Sequence, residues 1–131
     1  MMHAASARAP ALGVHLWERD PEGLGRKAAE AEKLGFASVT VGDHVIPGVL
    51  PPLVACAAIA AATSRVRFGP LVLNNDLRHP VVLAQEAAAL ARWSGGRLEL
   101  GLGAGYNRRE YAQLGIAFAP IAERAARWPR P

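Results

Sequence analysis

RLELGLG, residues 97–103, decides how this chain is built. Successive side chains on a strand point to opposite faces, so Leu98, Leu100 and Leu102 share one face and Glu99, Gly101 and Gly103 the other. The leucine face calls for covering helices. An ordinary doubly wound parallel sheet is apolar on both faces. A face carrying a glutamate and two glycines fits the inside of a small barrel instead, with the glycines leaving room at one mouth. The segment Phe36–Val41 repeats the alternation, with Val39 and Val41 on one side and Ser38, Thr40, Gly42 and His44 on the other. The polar faces favour a barrel.

Outward from these two strands, the chain reads as a strand–helix cycle that recurs about every 25–30 residues. Leu12–Trp17 is a strand, and Asp20-Pro21 starts a helix because Asp caps free N–H groups and Pro suits the first helical position. Leu24, Ala28, Ala31 and Leu34 follow at helical spacing, and Gly35 stops the helix. Pro51-Pro52 opens an uncharged, alanine-rich helix. Val66–Leu73 is the third strand, with Pro70 an awkward member of it. A polar loop from Asn74 to His79 leads into a third helix from Pro80 to Trp93, ended by Ser94-Gly95-Gly96. Residues 97–103 are the fourth strand; a short helical piece spans Glu110–Leu114, and AERAARW begins another helix before WPRP breaks it. Strands alternating with helices pair in parallel. The expected fold is therefore α/β, a truncated TIM-type (β/α)8 barrel of about four β/α units. Residues 1–11 read as a loose lead-in and 12–131 as the domain.

Composition narrows the class. The 131 residues are 51% hydrophobic and 20% charged, which suits a globular chain and not a disordered one. One cysteine, Cys56, excludes an internal disulfide and any site built on several thiolates, and it reads as a small core residue. No apolar run approaches the ~20 residues of a membrane span, and no signal-peptide pattern opens the chain, so the expected compartment is the cytoplasm. The net charge of +4 hints at nucleic acid, but 13 of the 15 basic residues are arginine and they are scattered. The modest cluster at Arg108, Arg109, Arg124, Arg127 and Arg130 reads as a solvated surface, without interleaved aromatics.

Parallel α/β folds bind ligands at the carboxyl ends of their strands. Those ends carry His15-Leu16-Trp17, Gly42-Asp43-His44, Leu73-Asn74-Asn75-Asp76 and Gly103-Ala104-Gly105-Tyr106-Asn107. Imidazoles, carboxamides, a carboxylate and a glycine-lined floor suit a flat heteroaromatic ligand with hydrogen-bonding edges. There is no lysine of a phosphate loop, no His or Cys pair at metal-ligand spacing and no G-x-S-x-G elbow. GLGAGYN gives only G-x-G, with Tyr106 where a dinucleotide fingerprint needs its third glycine. His44 is the candidate acid or base, with a backbone-bonded loop histidine the equal alternative. Asp43 either orients it or caps the turn. His15 reads as interior packing, His79 as part of a helix start, and Glu99 as one half of an interior salt bridge.

KLGFASVTVGDH (residues 33–44), LNNDLRHP (73–80) and SGGRLELGLGAG (94–105) together resemble the N-terminal half of the luciferase-like monooxygenase superfamily, nearest its F420-dependent oxidoreductase branch. The resemblance runs from Leu12 to Arg124. It implies a (β/α)8 barrel that transfers a hydride between coenzyme F420, or FMN in sister branches, and a small organic substrate. It places His44 near the reacting centre and a non-proline cis peptide at Leu71–Val72 behind the cofactor ring. It gives Asn74 and Asn75 amide contacts to the ring's pyrimidine edge, and Gly103, Ala104 and Gly105 backbone approach to the cofactor. Tyr106 and Asn107 would line the entrance, and Asp43 joins the cofactor-binding set. A complete barrel takes about 250 residues, so the expectation is a truncated form with its phosphate site absent. Strands one and four would leave open edges through which the chain self-associates.

Overall fold

A computed structural model describes residues 10–127. In chain order the elements are β1 (Gly13–His15), α1 (Pro21–Lys33), β2 (Ser38–Val41), α2 (Pro52–Ala62), β3 (Arg67–Pro70), β4 (Leu73–Asn74), a 3-10 turn (Asn75–Leu77), α3 (Pro80–Trp93), β5 (Leu102–Gly103), α4 (Arg108–Gln113) and α5 (Ile121–Ala126). Most of the expected lead-in and the expected break at Trp128–Pro131 lie outside the described residues.

Local chemistry sets the helix ends. The Asp20 carboxylate accepts from the Gly23 N–H at 2.7 Å, and Pro21 takes the first helical position. Gly35, at φ +86°, lets the chain turn out of α1 in the left-handed region that a side chain disfavours. Asn107 caps α4 in the same way as Asp20 caps α1. At α3, His79 Nδ1 accepts from the Val81 N–H, so His79 belongs to a helix start as read.

All strand pairs are parallel. β1, β2 and β3 form one sheet in that order, with Val39 opposite Val14 and Phe68, and β4 and β5 form a second pair. The third strand is not continuous from Val66 to Leu73. It is interrupted at Leu71–Val72, whose peptide is cis as the resemblance implied. The fourth strand is likewise shorter than expected: Leu98 bridges Phe68, and only Leu102–Gly103 forms a ladder. The result is a partial barrel.

Apolar side chains from one face of the sheet meet α1 and α2 in the core: Leu24, Ala28, Val39, Ile59, Phe68 and neighbours, with Leu98 packed against them. Complete burial of a Leu, Ile or Phe contributes about 1.5–3 kcal/mol each. Gly25 allows the two helices to close, since a methyl there would sit 3.1 Å from the Ala62 methyl. Leu100 departs from the expected pattern and is 40% exposed. On the other face of the sheet His15 reaches Thr40 at 3.0 Å, and Arg67 meets Glu99 at 2.5 Å. Glu99 is thus half of a salt bridge on that face, as expected, and the half-exposed pair adds little to stability.

At the amino ends of the strands two charged residues act as ties. The Glu32 carboxylate accepts from the N–H groups of Ser64, Arg65 and Val66. Arg97 donates to the carbonyls of Ala60, Val66 and Ser94 and to the Thr63 hydroxyl, and its guanidinium lies over the Phe68 ring. These ties fix the bottom of the sheet and leave the opposite ends of the strands to form a cleft.

Candidate functional site

The carboxyl ends of the strands enclose a cleft of about 460 Å³, within the ~300–1,000 Å³ of small-molecule sites. Its walls come from the β1 end (His15, Trp17), the β2 end (Gly42, Asp43, His44), the break between β3 and β4 (Leu71, Val72, Asn74), and the β5 end (Gly103, Ala104, Gly105, Tyr106) with Glu110 of α4. All of the predicted site residues line it except Asn107 and Asn75. Asn75 follows Asn74 into the 3-10 turn and lines a separate surface depression with Arg78, His79 and Arg127. Asn107 is also elsewhere, committed to capping α4.

His44 sits in the middle of this set. One ring face stacks against Trp17, with centroids 5.7 Å apart and planes 20° from parallel, and the Tyr106 ring meets it edge-on at 5.9 Å. Gly42 makes the stacking possible, because a Cβ there would lie 3.0 Å from the indole. His44 Nδ1 lies 3.4 Å from Glu110 Oε2, and the other Glu110 oxygen accepts from the Val45 N–H at 2.5 Å. The Glu110 side chain is 6% exposed, so the strand-two loop is tied to α4 through a buried carboxylate. Neighbouring His15 is held below its usual pKa, first by burial and then by repulsion from His44.

Glu110 was absent from the residues singled out in the sequence. Its signal was its place: the third helical position after the cap Asn107 normally takes a Glu that bonds back to its own cap. Here that carboxylate reaches a loop 65 residues away in sequence.

Asp43 lines the cleft, but its carboxylate is engaged. The Arg78 guanidinium grips it with both nitrogens, at 2.5 and 2.9 Å, and the Asn74 N–H donates to it at 2.8 Å. Its side chain is 1% exposed. Asp43 therefore clamps the β2 end to the β4 end, and its oxygens face protein donors. The glycines also differ from expectation: the space beside Gly101 and Gly103 is filled by the Val72 side chain. They permit close packing of β5 against the β3–β4 break, which brings Leu71 and Val72 to the cleft surface.

Behind the β5 end, Tyr111 is fully buried and its hydroxyl lies 3.0 Å from both Asn74 Oδ1 and Asp76 Oδ2. Burial raises its pKa, reinforced by Asp76 and opposed by Asn74 and Arg124. Arg124 and Arg127 correct the reading of a solvated basic cluster. Arg124 is 5% exposed, and Arg127 pairs with Asp76 at 3.0 Å.

The model of the luciferase-like monooxygenase family matches residues 3–129. This chain belongs to that family. It is 39% identical over 114 residues to an F420-dependent glucose-6-phosphate dehydrogenase of Kribbella flavida, a match covering 82% of this chain and 34% of the relative. Among solved structures, the coenzyme F420-dependent tetrahydromethanopterin reductase of Methanopyrus kandleri superposes with a TM-score of 0.74 at 28% identity, over 82% of this chain and 30% of that one. The oxygenating constituent of 3,6-diketocamphane monooxygenase of Pseudomonas putida, solved with FMN, gives 0.74 at 23% identity over 88% and 36%, a likeness of fold alone. The chain spans about a third of the length of the curated relatives it matches. Among the described residues no helix is long and apolar enough to cross a membrane.

Proposed function

We propose that this luciferase-like chain contributes four β/α units and the ring-binding half of the active site of an F420-dependent oxidoreductase. The observation that carries the reading is the setting of His44. Its imidazole is stacked on Trp17 and faces a buried Glu110, in the same cleft as the Leu71–Val72 surface and the Ala104–Tyr106 loop. The donor set fits a flat heteroaromatic ring: an apolar patch for its face, and main-chain groups of Gly103, Ala104 and Gly105 with the Asn74 carboxamide for its polar edge.

When bound, F420 supplies a ring carbon that accepts or donates a hydride. Leu71 and Val72 would support the ring, and the glycine loop would hold its edge. The work of this chain's own residues is proton management and orientation. His44 would exchange a proton with an oxygen of a small organic substrate through Nε2, while Glu110 near Nδ1 fixes the ring and balances its charge when protonated. Trp17 and Tyr106 restrict how the imidazole turns and screen it from water.

The match to F420-dependent relatives favours the deazaflavin over FMN. Titrating the chain with each cofactor and following cofactor fluorescence tests the reading. The expected result is saturable binding of F420 with weaker binding of FMN. Preferential binding of FMN would transfer the site to flavin chemistry. A folded chain that binds neither would leave a non-catalytic half-barrel, associating through the open edges of its sheet, and would overturn the proposal.

A further inference from the structure

The Ala104–Tyr106 loop is held from behind by two buried residues that no step above uses. Arg124 of α5 donates through Nη1 to the carbonyls of Ala104 and Gly105, at 2.5 Å each, and through Nε to the Ala119 carbonyl at 2.8 Å. Its guanidinium lies 4.0 Å over the Phe118 ring. Among the described residues its partners are carbonyls and aromatic faces, not carboxylates. A cation is expensive to bury on such terms, so an arginine here needs a reason beyond filling space. Tyr111 adds a second hold mainly by packing its hydroxyl directly against Gly105; its one proton is shared among Asn74 Oδ1 and Asp76 Oδ2 at 3.0 Å and the Ala104 carbonyl oxygen at 3.3 Å.

Peptide geometry supplies the reason. In a trans peptide the N–H points opposite to the C=O. Two consecutive carbonyls drawn onto one guanidinium therefore turn the following two N–H groups, those of Gly105 and Tyr106, the other way. Gly105 takes φ +73° to allow this, and its Cα packs so closely on the Tyr111 hydroxyl and the Asn74 amide that no side chain fits. Both residues line the cleft, and among the described residues neither N–H has a backbone or side-chain acceptor. A charged donor on each carbonyl also polarises the peptide and strengthens its N–H as a donor.

We propose that Arg124 and Tyr111 are positioning residues that clamp the Ala104–Tyr106 main chain, so that the Gly105 and Tyr106 amides face the cleft as a fixed pair of donors for a carbonyl or anionic oxygen of the bound ligand. The inference deepens the cofactor reading of this cleft and rests on it for the ligand, but the clamp itself is testable without one.

The test uses the full 131-residue chain, labelled with ¹⁵N, as wild type and as Arg124→Gln, Arg124→Lys and Tyr111→Phe. Backbone relaxation of Gly105 and Tyr106 is measured without ligand, with Val14 and Val39 in the sheet as reporters of folding. In the wild type the two loop amides should show order parameters near 0.85, the value of rigid backbone. In Arg124→Gln they should fall below about 0.6 while Val14 and Val39 stay unchanged, and F420 affinity should drop at least tenfold. Arg124→Lys should recover part of both losses. If Arg124→Gln does not fold, Tyr111→Phe carries the test, with a smaller loss of order in the same direction. Loop amides as ordered in the variants as in the wild type would overturn the clamp, whatever the ligand does. A loop that loosens in a chain that binds neither F420 nor FMN would keep the clamp and remove the cofactor reading instead.

Discussion

Replacing Asp43 separates a clamp from a ligand-binding carboxylate. Its two oxygens hold three donors, two from Arg78 and one from the Asn74 main chain, with the side chain almost wholly inaccessible. Asp43→Ala removes all three bonds at once and leaves a guanidinium and a backbone N–H facing an apolar gap. Breaking a buried pair from one side costs about 3–5 kcal/mol. Arg78 keeps 21% side-chain exposure and so recovers some water, which places the expected loss near the lower end, about 3 kcal/mol. Asp43→Asn keeps one oxygen for the Asn74 N–H but loses the charge and one guanidinium bond, for a loss of about 1.5–2 kcal/mol. Urea unfolding at neutral pH, followed by far-UV circular dichroism, gives both values from the midpoint at constant slope. The double variant Asp43→Ala/Arg78→Ala should be no less stable than Asp43→Ala alone, because the stranded cation is gone. A loss below about 1 kcal/mol for Asp43→Ala, a fifth or less of a typical domain's stability, would refute the clamp.

Two further predictions concern single groups. Burial opposes ionisation of Glu32, but the N–H groups of Val66, Arg65 and Ser64 and the Ser64 hydroxyl outweigh it and bring the carboxyl from 4.5 down to about 2. A depressed acid stabilises the fold above its unfolded pKa and loses that contribution as pH falls through its folded one. The difference in melting temperature between wild type and Glu32→Gln should therefore be full near neutrality and shrink between 4.5 and about 2; a constant difference across that range would contradict the assignment. Cys56 lies on the buried face of α2 and burial pushes its thiol up to about 12, so a thiol-specific chromogenic disulfide should label it only after denaturant is added. Rapid labelling of the folded chain at mildly alkaline pH would show that α2 does not pack as described.

The parts of the fold legible in the sequence were those written locally. Asp20 with Pro21, Gly35, Pro80 and the Ser94–Gly96 stop each carry their instruction within a turn of helix, and α1 and α3 begin and end there. The Val39/Val41 alternation likewise predicted which side of β2 meets the helices. The break in the third strand was not written this way: Pro70 hinted at trouble, but only the family resemblance located Leu71–Val72. In the site, position along a strand placed most of the lining residues, since strand ends gather in space whatever the side chains do. Their partners were not legible. Asp43 meets Arg78 across 35 residues and His44 meets Glu110 across 66, and no periodic pattern encodes such pairings. Asn74 and Asn75 look interchangeable as letters, yet the 3-10 turn sends one into the cleft and the other away. Arg124 resembled any surface arginine until α5 folded back over Phe118.

The ties around the cleft share a habit. Glu110 holds the main chain of Val45, Asp43 that of Asn74, and Arg124 that of Ala104 and Gly105. Because each grips peptide atoms, the shape of the cleft does not depend on the side chains displayed along its rim. Trp17, Leu71 and Tyr106, at 48%, 60% and 78% exposure, form none of these ties. Exchanging one of these rim side chains would therefore change what the cleft displays while leaving the frame that presents it in place. A scaffold divided in this way can diversify in specificity without first losing its stability.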